Sequence, residues 1–165
     1  MQTKTHINKG IIIAFAAIIF NATSHFNKSI FEEWTTFGFA AIIIVGVAIA
    51  VFLFGKEVDN KVNFGNSFSY GFKTAAVATC IYFIYTLLAL NLFFPDFIAQ
   101  KFNRQLEEAK RLGAFDEKTM NENLEMGVKM GKKIMFYTNI AGSVMGTLFL
   151  GIIGSLIGAV GVSKK

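Results

Sequence analysis

Residues 35–54 read TTFGFAAIIIVGVAIAVFLF and contain no charged side chain. A helix needs about 20 predominantly apolar residues to cross the hydrocarbon core of a bilayer, where it satisfies its own backbone hydrogen bonds. Three more apolar runs flank this one, at Gly10–His25, Phe68–Phe94 and Ile134–Val160. The runs are continuous rather than alternating, which excludes the strands of a membrane barrel. The sequence therefore predicts four membrane-spanning helices.

The composition agrees with a membrane protein. Charged residues make up 16% of the 165 residues and hydrophobic residues 53%, whereas soluble domains carry about 25% charged residues. The mean hydropathy is +0.50, and a soluble domain of this length could hardly bury four such runs. We predict an all-α, multi-pass four-helix bundle that forms a single membrane domain over residues 1–165. Cys80 is the only cysteine, so no disulfide can form within the chain.

The first run has two interpretations. Its apolar core, Ile11–Phe20, is short, and Ala22-Thr23-Ser24 follows it with the small residues of a signal-peptidase site. Cleavage there would leave a mature chain with three spans that starts near His25. We favour a retained helix whose last turn is Asn21–His25.

Orientation depends on the basic residues that flank the spans. The side that holds both termini has seven of them and the opposite side nine, so a strict count does not place the termini inside. The first helix usually governs insertion, however, and Lys4 and Lys9 precede it. We therefore predict that both termini are cytoplasmic.

The sequence of the connector Pro95–Lys133 predicts a polar helical hairpin. Its first helix is expected from Pro95 to Leu112, with Gly113 as its stop, and its second helix is expected after an Asp116 cap. The hairpin is either a solvated spacer or a partner-binding or membrane-surface element. It carries eight basic and seven acidic residues. This balance argues against a polybasic patch for lipid or nucleic acid.

The fourth run contains a series of small residues at every fourth position. In lipid, such surfaces let helix backbones approach closely, so they mark packing interfaces. The predicted face comprises Gly142, Gly146, Thr147, Gly151, Gly154, Ser155 and Gly158, next to Ser143 and Ala159. Its partner is either a helix of the same chain or a second copy in a homo-oligomer. The intrachain candidates are Gly38, Ala41 and Ala48 on the second span and Ala75, Ala78 and Thr79 on the third.

Few polar residues fall within the spans, where an ionisable group is costly and usually functional. Lys73 is the only charge, close enough to the start of the third span to reach the interface. The other candidates are Tyr82, Tyr85, Asn91 and Asn139. This short list gives poor support to a proton-coupled transporter.

No motif indicates catalysis, a cofactor or a metal. The two histidines, His6 and His25, have no nucleophile or carboxylate at a recognisable spacing. We therefore predict that the protein is not an enzyme and does not bind nucleic acid. We also expect Asn66-Ser67 to cap the third span.

The middle of the chain resembles a known family. It contains Asn63-Phe64-Gly65, Phe68 and Gly71-Phe72-Lys73-Thr74, then Tyr82 and Tyr85, and then Phe94-Pro95-Asp96-Phe97 before a Glu/Lys-rich connector and a final Lys-Lys. This pattern is similar to the DUF4199 family of small bacterial four-span membrane proteins. The resemblance implies a four-helix fold and a bacterial inner-membrane location. It implies no activity and no site residue.

Two function classes follow from this sequence. The first is an interaction, assembly or accessory subunit that uses the glycine face and the connector. The second is a component of an oligomeric transporter or channel. The sequence names neither the partner nor a solute.

Overall fold

The computed structural model describes residues 5–58, 62–112 and 124–163. These residues form helices and no strand, so the predicted all-α class is confirmed. Four helices are long and apolar enough to cross a membrane. The helices are α1 (Thr5–Phe26), α2 (Glu33–Glu57), α3 (Phe64–Leu88, followed by a π-helical turn at Ala89–Phe93), α4 (Phe97–Arg111) and α5 (Leu124–Ser163).

Helix α3 begins four residues before the predicted Phe68. The backbone N–H of Asn66 donates to Asn63 Oδ1 at 2.8 Å, so Asn63 caps the helix. The predicted cap at Asn66-Ser67 is therefore wrong, and Ser67 is fully buried within the helix. A helix can continue past its apolar run because its backbone is satisfied in water as well as in lipid. Hydropathy alone does not mark its end.

The start of α4 is set by Pro95. The preceding Phe94 has φ −135° and ψ 59°, because the proline ring disfavours a helical conformation there. The N–H of Gln100 donates to the Asp96 carbonyl at 2.9 Å, which makes Asp96 the first residue whose carbonyl enters the helix. The helix therefore starts at Phe97, two residues after the predicted Pro95.

Helix α5 joins the fourth span to the end of the connector. It has 40 residues, or about 60 Å at 1.5 Å per residue, so part of it extends beyond the hydrocarbon core. Leu124 to Lys133, predicted as part of a hairpin, belong to this continuous helix. The predicted stop at Gly113 and cap at Asp116 lie outside the described residues, and the hairpin stays a prediction.

The chain divides into two compact units. The first, Met1–Tyr85 with Val144–Lys165, contains α1, α2, most of α3 and α5 from Val144 onward. Its core is built mainly from alanine and β-branched residues: Ile13, Ala14, Ala17, Ile43, Val47, Ala50, Ala75, Ala78 and Tyr82, with Leu150 of α5 packed against them. Lipid tails are as apolar as these side chains, so close contact between helices stabilises this unit more than burial from water does.

The second unit, Thr86–Ser143, contains the end of α3, the π-helical turn, α4 and the first half of α5. Helix α4 has one apolar side, on which Ile98 is buried and Phe102, Leu106 and Ala109 are half-buried. Leu112, which directly follows α4, is 79% exposed.

Candidate functional site

The second half of α5, from Thr147 onward, packs directly on α2 through glycines. A Cβ added at Gly154 would lie 2.6 Å from the Ile44 carbonyl oxygen, and one added at Gly158 would lie 3.0 Å from the Ala48 carbonyl oxygen. Both distances are shorter than an ordinary van der Waals contact. Glycine is therefore required at these positions because the backbones of the two helices touch.

The same half of α5 packs on α3. A Cβ at Gly151 would overlap Ala75 Cβ, and a Cβ at Gly71 of α3 would lie 2.7 Å from Ser155 Oγ. The Ser155 hydroxyl donates to the Gly151 carbonyl at 2.7 Å, so this fully buried polar group is satisfied within its own helix. Thr147 is buried as well. Two of the intrachain partners considered from the sequence, Ala48 and Ala75, thus contact the glycines of α5.

The glycines nearer the start of α5 are in a different environment. Gly142 and Gly146 are exposed, and apart from their chain neighbours and the adjoining α5 backbone, no atom of the described residues lies within 4 Å of a Cβ added at either. Met145 and Phe149 on the same stretch are 69% and 64% exposed. This part of the small-residue series has open space beside it, although its spacing matches that of the packed part.

The intramembrane polar residues make separate local contacts. The Tyr85 hydroxyl donates to Asn21 Oδ1 at 2.9 Å and so joins α3 to α1. Tyr82 is buried with its ring against those of Phe39 and Tyr85. Lys73 is exposed on α3.

Asn91 is exposed within the π-helical turn, and its side-chain amide donates to the Leu87 carbonyl at 2.8 Å.

A polar cluster links the start of α1 to the end of α2 and the start of α3. Lys9 Nζ lies 2.8 Å from Glu57 Oε1 and 5.1 Å from the centre of the Tyr70 ring. Thr5 Oγ1 lies 2.8 Å from the Tyr70 hydroxyl and 3.2 Å from Glu57 Oε2. Tyr70 stacks on Phe54 with ring centres 4.0 Å apart. From the sequence, Lys9 is only a charge that flanks the first span, and no motif indicates this cluster.

A groove of about 510 Å³ lies within the second unit, between α4 and the beginning of α5. Most of its lining is apolar, with a few polar groups. The lining residues are Lys101, Phe102, Gln105, Leu106, Ala109, Gly131, Ile134, Met135 and Thr138. Its size falls within the range of about 300–1,000 Å³ found for ligand pockets.

Lys101 is the charged group of this groove. Its Nζ donates to Asn139 Oδ1 at 2.6 Å and lies 5.9 Å from the centre of the Phe97 ring. Burial lowers the pKa of Lys101 below its usual value because the ammonium group loses water. Asn139, predicted as an intramembrane polar residue, therefore has a cationic partner.

Gly131 of α5 also lines the groove that contains Lys101. A Cβ added there would lie 2.5 Å from the Phe102 ring, so glycine lets that ring lie directly on the α5 backbone.

A comparison with protein families gives a match to this chain. The model of a protein family of unknown function, DUF4199, matches residues 9–164. The chain belongs to this family. No curated protein and no solved structure matches the chain. The DUF4199 match includes both halves of α5, the groove and nearly all of α1.

In this DUF4199 chain, the sequence did contain a signal for Lys101. Phe97, Lys101 and Gln105 follow one another at steps of four, so the lysine lies on the same side of α4 as the apolar residues. A cation on an apolar helix face indicates a buried partner or a ligand.

Among the described residues, no group of three or more His, Cys, Asp or Glu side chains could hold a metal ion.

Proposed function

We propose that this integral membrane protein acts by binding another membrane protein, as an interaction, assembly or accessory subunit. The observation that carries the proposal is the open space beside Gly142 and Gly146 on α5. The spacing of these glycines is that of a helix-packing surface, yet the described residues leave it uncovered.

The physical reason lies in how helices associate in lipid. Association depends on van der Waals contact and close backbone approach, which small residues permit. At Gly151, Gly154 and Gly158 this capacity is used within the chain. At Gly142 and Gly146 it is available to a helix from another molecule, and the exposed Met145 and Phe149 would border the contact.

The alternative is a component of an oligomeric transporter or channel. The observation that favours it is a set of buried hydroxyl groups on α3: Ser67, Thr74, Thr79 and Thr86. Within the described residues, the hydroxyls of Ser67 and Thr79 have no hydrogen-bond partner. A second copy packed on Gly142 and Gly146 would produce the oligomer that such a pathway requires.

The proposal also covers location and chemistry. We place the protein in a bacterial inner membrane with both termini cytoplasmic, supported by the family resemblance and by the basic residues Lys4 and Lys9 before the first span. Reporter fusions after Lys165 and near Gly113 test this orientation, and an outside-facing C-terminus overturns it. We propose no catalysis, since His6 and His25 have no nucleophile or carboxylate at a recognisable spacing in the sequence. We propose no nucleic-acid partner, since the basic and acidic residues of the connector are nearly equal in number.

The test is a double substitution, Gly142→Leu with Gly146→Leu, in the full chain. Both side chains enter open space, so the variant should remain folded. Crosslinking in native membranes followed by pull-down should recover a partner with the wild type and lose it with the variant. The matched control is Ala16→Leu with Ala41→Leu, which adds comparable bulk at exposed positions on α1 and α2.

The outcomes separate the two functions. A crosslinked species that contains a different membrane protein supports the accessory role. Crosslinked copies of this chain, together with ion or solute flux in reconstituted vesicles, support the alternative. A complex that survives in the double variant contradicts both uses of this surface.

A further inference from the structure

The groove of the second unit holds a half-buried cation against a mostly apolar lining. Six of its nine lining residues are apolar or glycine, and Lys101 is the only charged one. The lining contains no carboxylate among the described residues. A desolvated ammonium group without a neighbouring anion is unfavourable, so the groove is electrostatically matched to an anionic ligand with an apolar body.

The contacts of Lys101 leave room for such a ligand. The ammonium group has three hydrogens, and the structure gives one of them to Asn139 Oδ1, an uncharged acceptor. The Phe97 ring is its other neighbour. Gln105, which also lines the groove, carries a neutral amide that can donate hydrogen bonds to an anion, whereas the Thr138 hydroxyl donates to the Met135 carbonyl at 3.1 Å.

The position of the groove along the chain points to the source of the ligand. Its α5 wall, Gly131 to Thr138, belongs to the candidate span Lys129–Val162. Its other wall is α4, which starts four residues after the candidate span Phe64–Phe93 ends. Residues that enter and leave a bilayer in this way meet lipid headgroups and the first acyl carbons.

We propose that this groove binds one phospholipid with an anionic phosphodiester headgroup. The phosphate oxygens accept hydrogen bonds from Lys101 Nζ, and an acyl chain lies along Phe102, Leu106, Ile134 and Met135. Gly131 contributes by letting Phe102 lie on the α5 backbone, which sets the shape of the apolar wall. This is a single-molecule site and differs from a polybasic surface patch, against which the charge balance of the connector argues.

The experiment measures lipid retained by the purified full chain in detergent, by native mass spectrometry. The probes are dioleoyl phosphatidylglycerol, dioleoyl phosphatidylcholine with the same chains but no net charge, and oleate. The wild type should hold one phosphatidylglycerol per chain, with an affinity about tenfold or more above that for phosphatidylcholine, because the choline cation of phosphatidylcholine offsets the attraction between its phosphate and Lys101. Equal affinity for the two phospholipids overturns the proposal, and so does retention of oleate in preference to phosphatidylglycerol.

Variants locate the site. Lys101→Gln should weaken phosphatidylglycerol binding about tenfold and phosphatidylcholine binding less, because the choline cation already offsets the charge of its phosphate. The control Lys133→Gln removes an exposed charge two residues from Gly131 and should change binding less than about threefold. Ala109→Phe keeps every charge but fills the groove, and should reduce retention of all three lipids. If Lys133→Gln weakens binding as much as Lys101→Gln, or if Ala109→Phe has no effect, the site is not this groove.

Discussion

The two halves of α5 carry small residues at similar spacings and use them differently. From Thr147 onward, the small residues are covered by α2 and α3, with Gly154 and Gly158 against backbone carbonyls. Earlier in the helix, Gly142 and Gly146 have open space beside them in the described structure. A small-xxx-small pattern thus reports that a helix can be approached closely. It does not report whether the approaching helix belongs to the same chain.

The largest expected effect comes from Gly154→Leu. A side chain there meets the Ile44 carbonyl oxygen and Val47, and a helix backbone cannot move aside without separating α2 from α5. We expect a loss of about 3 kcal/mol of unfolding free energy or more. Reversible unfolding in mixed micelles measures it, with Gly146→Leu as the matched control. An equal loss in the control would break the distinction between the two halves.

A smaller effect is expected at Gly131, in the first half of the helix. The atom that an added Cβ would meet belongs to the Phe102 ring, and a ring can shift where a carbonyl cannot. We expect Gly131→Ala to cost about 1 kcal/mol and to raise hydrogen exchange across Phe97–Arg111. Exchange in the bundle helices α1 and α2 serves as the internal control. Unchanged hydrogen exchange in α4 would show that the contact between Gly131 and Phe102 does not stabilise this helix.

The Lys9–Glu57 pair tests whether polar contacts add to the packing of the bundle. The side chains are 14% and 38% exposed, so solvent screens the attraction. A double-mutant cycle with Lys9→Gln and Glu57→Gln should give a coupling energy of about 0.2–1 kcal/mol. A coupling energy well above this range would mean that the ion pair, as well as the glycine contacts, contributes to the stability of the bundle.

The smallest expected effect is the pH dependence contributed by Lys101. Burial lowers the pKa of Lys101 in the folded state below the ordinary 10.5. The unfolded chain therefore binds more protons between the lowered folded pKa and 10.5, and stability rises with pH across that window. The unfolding midpoint of the wild type should therefore rise relative to that of Lys101→Gln as the pH is raised towards 10.5. A relative fall would contradict the burial of this ammonium group.

The sequence predicted the spans well because the bilayer imposes a simple rule on them. The run at residues 35–54 has no charge and the length of a hydrocarbon core, so a helix is the available solution. The first residue of α3 was harder to predict. Asn63, Asn66 and Ser67 can all cap a helix, and hydropathy does not choose among them.

The groove was missed for a different reason. Lys101 and Asn139 are 38 positions apart, and a periodic pattern within one helix does not reveal which distant residue faces it. Lys101 is one of the eight basic residues of the connector, and their number alone does not separate it from the others. Its step of four from Phe97 was the local signal that it lies on the apolar side.

An alanine scan of the α5 glycines tests the central claim most directly. Gly142, Gly146, Gly151, Gly154 and Gly158 would each be replaced by alanine and unfolded in one lipid mixture. We expect changes within about 0.5 kcal/mol at the first two positions and losses of about 1–3 kcal/mol at the last three. Losses of similar size at all five positions would contradict the division of α5 into a packed half and an open half.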